Sequence, residues 1–249
     1  MKISVITVCY NSEASIQKTL DSVAAQSWSN IEHIVIDGAS LDATVAIIHG
    51  NLHRITHFVS ESDSGVYQAM NKGLNLATGD VIAFLNSDDI FSNAQVLESV
   101  VRTMHDQGLD ALYGDVEYFN ASAPDKTVRT YNSGRFSPAR IAWGWMPAHP
   151  ALFVRRAVYE RFGHFREDYR IAGDYEFVAR IFKNGQLKSV HFDRVLVRMQ
   201  TGGLSTAGWG ATYLLNKEIL RACRQNGIPS NWLMVLSKYF FKLKEVFHA

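Results

Sequence analysis

The sequence predicts an α/β fold: one domain with a central, mostly parallel sheet flanked by helices, followed by C-terminal amphipathic helices. Three observations predict it. Short β-branched runs alternate with segments of helical period through the first 110 residues, the pattern of β-α-β units with right-handed crossovers. Those runs are apolar at nearly every position, as strands covered on both faces are. No internal repeat, low-complexity tract or linker divides the chain.

The elements follow in order. Ile3–Val8 is the first strand. Ile16, Leu20 and Val23 then share one helical face, with Ser12 as the expected N-cap. His33–Gly38 is the second strand and ends in Asp-Gly. A short helix, "DATVAIIHG", closes at Gly50, and Asp42 near its start reads as a helix-capping acid. "THFVSE" is the third strand. Val66, Met70, Leu74 and Ala77 mark the next helix, ended by Gly79. Val81–Leu85 is the fourth strand, and "NAQVLESVVRTMHDQG" is a helix with Asn93 as its expected cap. After residue 110 the rhythm breaks. "ALYGDVEYFN" reads as a strand, and the polar stretch after it as a loop or edge hairpin. Ala151–Val154 is a strand followed by a helix, and "GDYEFVARIFKNG" is a helix opening on an acid.

Composition excludes several classes. Hydrophobic residues make up 47% and charged residues 20% of the 249, which is globular and not disordered. Lys and Arg number 25 against 24 Asp and Glu, so no global field draws in nucleic acid, and no nucleic-acid partner is expected. Two cysteines, Cys9 and Cys223, make no disulfide framework and fit a reducing, cytoplasmic setting. The short apolar run at the N-terminus reads as a strand, not a signal peptide. No run of 18 apolar residues spans a bilayer.

The carboxylates carry the functional signal. Ligands of open parallel sheets bind beyond the carboxyl ends of the strands. Asp37, then Glu61 and Asp63, then Asp88 and Asp89, then Asp115 follow successive predicted strands, so they are expected to converge in one crevice. Adjacent Asp88 and Asp89 repel one another, and a hard divalent cation, Mn²⁺ or Mg²⁺, relieves that repulsion. Such a cation completes its shell with waters and substrate phosphates, which suggests a nucleotide-linked substrate. Neither G-x-G-x-x-G nor a P-loop is present, against hydride transfer and ordinary ATP hydrolysis.

Five segments together resemble an inverting family 2 glycosyltransferase with the Rossmann-like GT-A fold. They are "TVCYNSEASIQKTLDSVAAQSW", "IVIDGASLDAT", "SESDSGVYQAMNKGLNLATGDVIAFLNSDD", "HPALFVRR" and "AGDYEFVARI". The likeness runs from about Lys2 to Ser205. It implies a glycosyltransferase domain over 1–205, divided into a nucleotide-sugar half (1–110) and an acceptor half (111–205), with a helical extension over 206–249. It also implies roles. Asp37 hydrogen-bonds the nucleobase, walled by Thr7, Tyr10 and Asn11. Asp63 lines the nucleotide cleft, with Lys72 near the ribose or diphosphate. Asp88 touches the ribose or the metal, and Asp89 is the main metal ligand. Asp174 is the catalytic base. His149, Trp143 and Trp145 stand on the acceptor side, where a structural histidine and buried tryptophans are the alternative reading. One departure is Asn86, where the family often has aspartate; it adds no charge and shifts the metal onto Asp88 and Asp89.

The resemblance implies transfer of one sugar from a nucleotide-diphosphate donor, a UDP-sugar favoured, to a glycan or lipid-linked acceptor such as a polyprenyl-diphosphate glycan of surface polysaccharide. Processive relatives resemble one another in a Q-x-x-R-W motif and transmembrane helices; "QLKSV" from Gln186 does not match. The Gly202-Gly203 turn is expected to close over the substrates. Two rivals are a sugar nucleotidyltransferase, which lacks support because "VCYNSEAS" has no glycine, and a non-catalytic binding or scaffold protein, which the acid at 174 disfavours. In the tail 231–249, Trp232, Leu236, Tyr239, Phe240, Leu243 and Phe247 form a stripe with Lys238, Lys242 and Lys244 mostly off it. That pattern suits a peripheral helix on the inner-membrane surface, or one packed on the domain or on a second subunit of a homodimer.

Overall fold

The computed structural model describes residues 1–202 and 208–246. Among the described residues, nine strands form one sheet. They are β1 (Ile3–Cys9), β2 (Ile31–Asp37), β3 (His57–Ser60), β4 (Val81–Phe84), β5 (Asp89–Phe91), β6 (Ala111–Asn120), β7 (Ala123–Tyr131), β8 (Leu152–Arg155) and β9 (Ser189–Gln200). The order is β3-β2-β1-β4-β8-β6-β9-β5, with β7 paired to the edge of β6. From β3 to β4 every pairing is parallel. At β8 the direction reverses, and the remainder is mixed, with β6 and β9 parallel and β5 antiparallel to β9.

The helices are α1 (Ile16–Ala24), α2 (Thr44–His49), α3 (Val66–Leu76), α4 (Val96–Asp106), α5 (Arg156–Phe162), α6 (Gly173–Phe182), α7 (Trp209–Gln225) and α8 (Trp232–Val246). Period-two alternation divides each parallel strand between two layers. Ile6, Ile34, Ile36, Ile82 and Phe84 face the cluster that includes Met70 and Leu74 of α3 and Phe177 of α6. Ile3, Val5, Val81 and Ala83 face the opposite cluster, with Leu97, Val100 and Met104 of α4. Fully burying each such aliphatic contributes about 1.5–3 kcal/mol.

Three local expectations are corrected. Helix α1 begins at Ile16 with Ser15 as N-cap. Ser12 instead accepts the amides of Ser15 and Ile16 through its carbonyl, and its hydroxyl meets Ser87 Oγ at 2.8 Å. Helix α4 is capped at Gln95, whose amide Asn93 Oδ1 accepts. Asp115 does not end its strand: it lies midway along β6, 5% exposed, bonded to His191 Nε2 (2.8 Å) and the Ser133 amide (2.7 Å).

In α8, Val235 and Lys238 are buried while Trp232, Leu233 and Leu236 are exposed. Lys238 therefore lies inside, contrary to its expected place off the apolar stripe. No helix among the described residues is long and apolar enough to cross a membrane. Gly203 and the side chains of Phe240, Leu243 and Phe247 lie outside the described residues.

Candidate active site

Strands β1, β2 and β3 run in parallel register and end together, while β4 ends lower, with Phe84 opposite Ile6. Cys9 pairs with Asp37, Asp37 with Ser60, and the Leu85 amide donates to the Ile6 carbonyl at 3.0 Å. The loops beyond these ends are laced to one another. Asn11, at φ 49°, donates its amide to Ser40 Oγ (2.8 Å) and accepts the Leu41 amide (2.9 Å). An asparagine tolerates this left-handed backbone better than most residues. Tyr10, 60% exposed, stands beside Asp63 across Gly38. A Cβ on Gly38 would come within 2.8 Å of Asp63 Oδ2 and 3.4 Å of the Tyr10 ring. Only glycine leaves that floor open.

Asp37 and Thr7 lie beneath this surface, both 0% exposed. Asp37 accepts the Ser40 amide (3.0 Å), the Ser40 hydroxyl (2.5 Å) and the Ser60 hydroxyl (2.7 Å). Thr7 Oγ1 meets His33 Nε2 at 3.1 Å. Both side chains support the crevice from below and present no surface to a ligand. Lys72 Nζ bonds the Ser62 carbonyl (2.9 Å) and Glu61 (3.0 Å). It is thereby tied to the loop that carries Asp63.

The paired acids differ sharply. Asp88 is half-buried, whereas Asp89 is 1% exposed and opens β5. Burial raises the carboxyl pKa of both, and the charge of Asp88 raises Asp89 further, well above its usual range. The Asn86 amide, 3.3 Å from Asp89 Oδ2, and the Gln200 backbone partly offset this. Two hard oxygen donors in a site that penalises their own charge suit a divalent cation. Asp88 is the more exposed of the two; Asp89, expected as the main ligand, is almost fully buried. Asp115, His191 and the exposed Asp193 form a separate group able to hold a metal.

Asp89 also pairs with Met199 in the β5–β9 ladder. Met199 lines a cavity of about 230 Å³, together with Trp145, His149, Asp174, Tyr175 and Lys238. Asp174 sits in the first turn of α6. Its Oδ1 accepts the Tyr175 amide (2.8 Å) and the Tyr67 hydroxyl (3.3 Å). His149 is buried, stacked on Phe84 at 5.5 Å, and burial lowers its pKa against the pull of Asp174. It is a neutral imidazole between the end of β4 and the cavity. Trp145 lines that cavity; Trp143, 43% exposed, is not among its walls.

The structure thus places Tyr10 and Asp63 on either side of Gly38 with Asn11 beside them, and Asp174, His149 and Trp145 in a cavity whose wall residue Met199 pairs with Asp89. Sequence reasoning missed Gly38, Tyr67 and Lys238. The Asp-Gly pair was legible as a strand end, though not as a floor. Tyr67 gives no signal because its contacts are distant in sequence, and Lys238 reads only as a lysine off the apolar stripe of the tail.

Comparison with known proteins agrees. Residues 4–181 match the model of glycosyl transferase family 2. A PGL/p-HBAD biosynthesis glycosyltransferase of Mycobacterium bovis is 30% identical over 226 residues, 88% of this chain and 82% of that protein. An uncharacterized glycosyltransferase of Mycobacterium tuberculosis is 35% identical over 181 residues, 72% of this chain and 68% of that one. Among solved structures, residues 1–349 of S. aureus TarS in complex with UDP-GlcNAc superpose with a TM-score of 0.72 at 21% identity, covering 89% of this chain and 66% of that one. The mannosyltransferase PcManGT of Pyrobaculum calidifontis, in complex with GDP-Man and Mn²⁺, gives 0.63 at 20% identity, covering 88% and 64%. These two likenesses carry the GT-A fold; the sequence matches carry the family. The chain belongs to glycosyl transferase family 2.

Proposed function

We propose that this glycosyltransferase is metal-dependent, inverting and non-processive. It moves one sugar from a nucleotide-diphosphate donor, a UDP-sugar favoured, to an acceptor hydroxyl, with a polyprenyl-diphosphate-linked glycan of surface polysaccharide as the acceptor class. One observation carries the reading: Met199 is at once a wall of the cavity holding Asp174 and the ladder partner of Asp89. Donor-side Asp89 and acceptor-side Asp174 are therefore both neighbours of one residue of β9. The solved relatives in complex with UDP-GlcNAc and with GDP-Man and Mn²⁺ support the donor class.

In this reading Tyr10, Asn11 and Asp63 wall the nucleobase pocket over Gly38, with Asp37 and Thr7 as its buried supports, and Lys72 stands near the ribose or diphosphate. Asp88, backed by Asp89, holds Mn²⁺ or Mg²⁺. When bound, the cation neutralises charge on the leaving diphosphate. Asp174 takes the proton of the acceptor hydroxyl, and that oxygen attacks the anomeric carbon opposite the leaving group. His149, kept neutral by burial, presses on the cavity wall without repelling a cation. Trp145 gives an acceptor sugar a stacking face. The exposed Trp232, Leu233 and Leu236 of α8 suit a cytoplasmic membrane surface, where a lipid-linked acceptor resides.

A melting screen of nucleotide sugars with Mn²⁺ tests the donor class. The true donor raises the melting temperature by mass action. Asp174→Asn is then expected to keep donor affinity while losing roughly 10²–10⁴-fold in transfer. Transfer that survives the substitution places the base elsewhere.

A further inference from the structure

The loop before α6 presents Asp174, and it is held from two directions by residues outside the nucleotide crevice. From α7, the buried Glu218 carboxylate accepts three consecutive backbone amides: Arg170 (2.8 Å), Ile171 (2.9 Å) and Ala172 (2.8 Å). Two more α7 residues reach the same loop. Arg221 bonds the carbonyl and carboxylate of Asp168, and Gln225 accepts the Tyr169 hydroxyl (2.6 Å). Positions 218, 221 and 225 lie on one helical face. From α3, the Tyr67 hydroxyl donates to the Ile171 carbonyl (2.6 Å) and reaches Asp174. A Cβ on Gly173 would come within 2.7 Å of the Tyr67 ring, so glycine there lets the two meet.

We infer that Glu218 is a positioning residue for transfer: it fixes the backbone from which Asp174 projects. The inference rests on Asp174 being the base. A charge-assisted bond to a backbone amide is roughly twice as strong as a neutral one, and three on consecutive residues leave that backbone little freedom. A misplacement of about 1 Å costs a reacting group on the order of 10²-fold. The family match ends at residue 181, before α7, so this role would bring the C-terminal extension into the catalytic apparatus.

The test is a double-mutant cycle on Glu218 and Asp174. UDP-glucose, UDP-N-acetylglucosamine and GDP-mannose are supplied with Mn²⁺, the one turned over fastest by the unaltered protein is kept, and nucleoside diphosphate release is followed with water as acceptor. Glu218→Ala is expected to lower kcat about 10–100-fold with donor Kd unchanged within about two-fold. Glu218→Gln, which keeps one carbonyl acceptor, recovers part of the loss, and it carries the cycle should the alanine variant not fold. In an Asp174→Asn background neither substitution lowers kcat further. Full kcat in both Glu218 variants, donor affinity falling in step with kcat, or the same fold-loss without Asp174 overturns the role of Glu218 and leaves the base assignment standing. Full turnover by Asp174→Asn alone overturns the base assignment, and this inference with it.

Discussion

Glu32 and Asp89 are both buried carboxylates of the same sheet, and their surroundings are opposite. Glu32, 2% exposed near the start of β2, accepts Lys2 Nζ (2.6 Å), Ser4 Oγ (2.5 Å), and the amide and hydroxyl of Thr78 (2.7 Å each). Burial alone would raise its pKa, but these donors hold it at about 2. Asp89, beyond the carboxyl end of β4, has one side-chain donor at 3.3 Å and a like charge beside it, and its pKa is raised. Stability claims the first end of the sheet and leaves no bonding capacity unused. The second end keeps charge it cannot satisfy internally, the condition in which a cation binds.

Substitutions at the two ends separate these roles. The largest effect is expected from Asp88→Asn, which removes the more exposed carboxylate: loss of several kcal/mol of charge stabilisation lowers turnover roughly 10²–10³-fold with little change in melting temperature. A kinetic assay beside a melting curve checks both halves. Next, Glu32→Ala is expected to cost about 1–3 kcal/mol, because Ser4, 0% exposed, is left as a buried donor without an acceptor; the exposed Thr78 and the Lys2 ammonium, a third exposed, add little. Donor affinity should not change. A denaturant titration giving a loss under 1 kcal/mol would end the contrast.

The smallest effect concerns pH. Asp89 has a raised folded pKa, so its contribution is present below the ordinary value of 3.8 and is lost as pH rises through the raised value. At neutral pH without metal, Asp89→Asn is therefore expected to melt about 2–4 °C higher, for a gain of about 1 kcal/mol. That advantage vanishes as pH falls toward 4. Glu32 has the opposite sign: its contribution is present above 4.5 and lost as pH falls toward 2.

Much of this was legible in the chain. Strand β1 and the helical faces of α1, α3 and α4 follow from apolar period alone, and the places of Asp63 after β3 and Asp88 after β4 follow from the strand pattern. What was not legible depended on contacts between distant segments. Asp88 and Asp89 are neighbours of the same type, yet only the pairing of Asp89 with Met199 decides which one is buried. Asp115 does not belong with the strand-end acids, because the strand over 111–120 carries it midway along β6. Glu218 carries no signal in the sequence; only the fold brings three amides to it.

Calorimetric titration of UDP and of GDP, each with and without Mn²⁺, into the unaltered protein and Asp88→Asn tests the central claim most directly. The account predicts tight binding of one nucleotide by the unaltered protein only when Mn²⁺ is present, and the loss of that Mn²⁺ dependence in Asp88→Asn. Equal affinity with and without the ion, or an undiminished Mn²⁺ effect in Asp88→Asn, would contradict it.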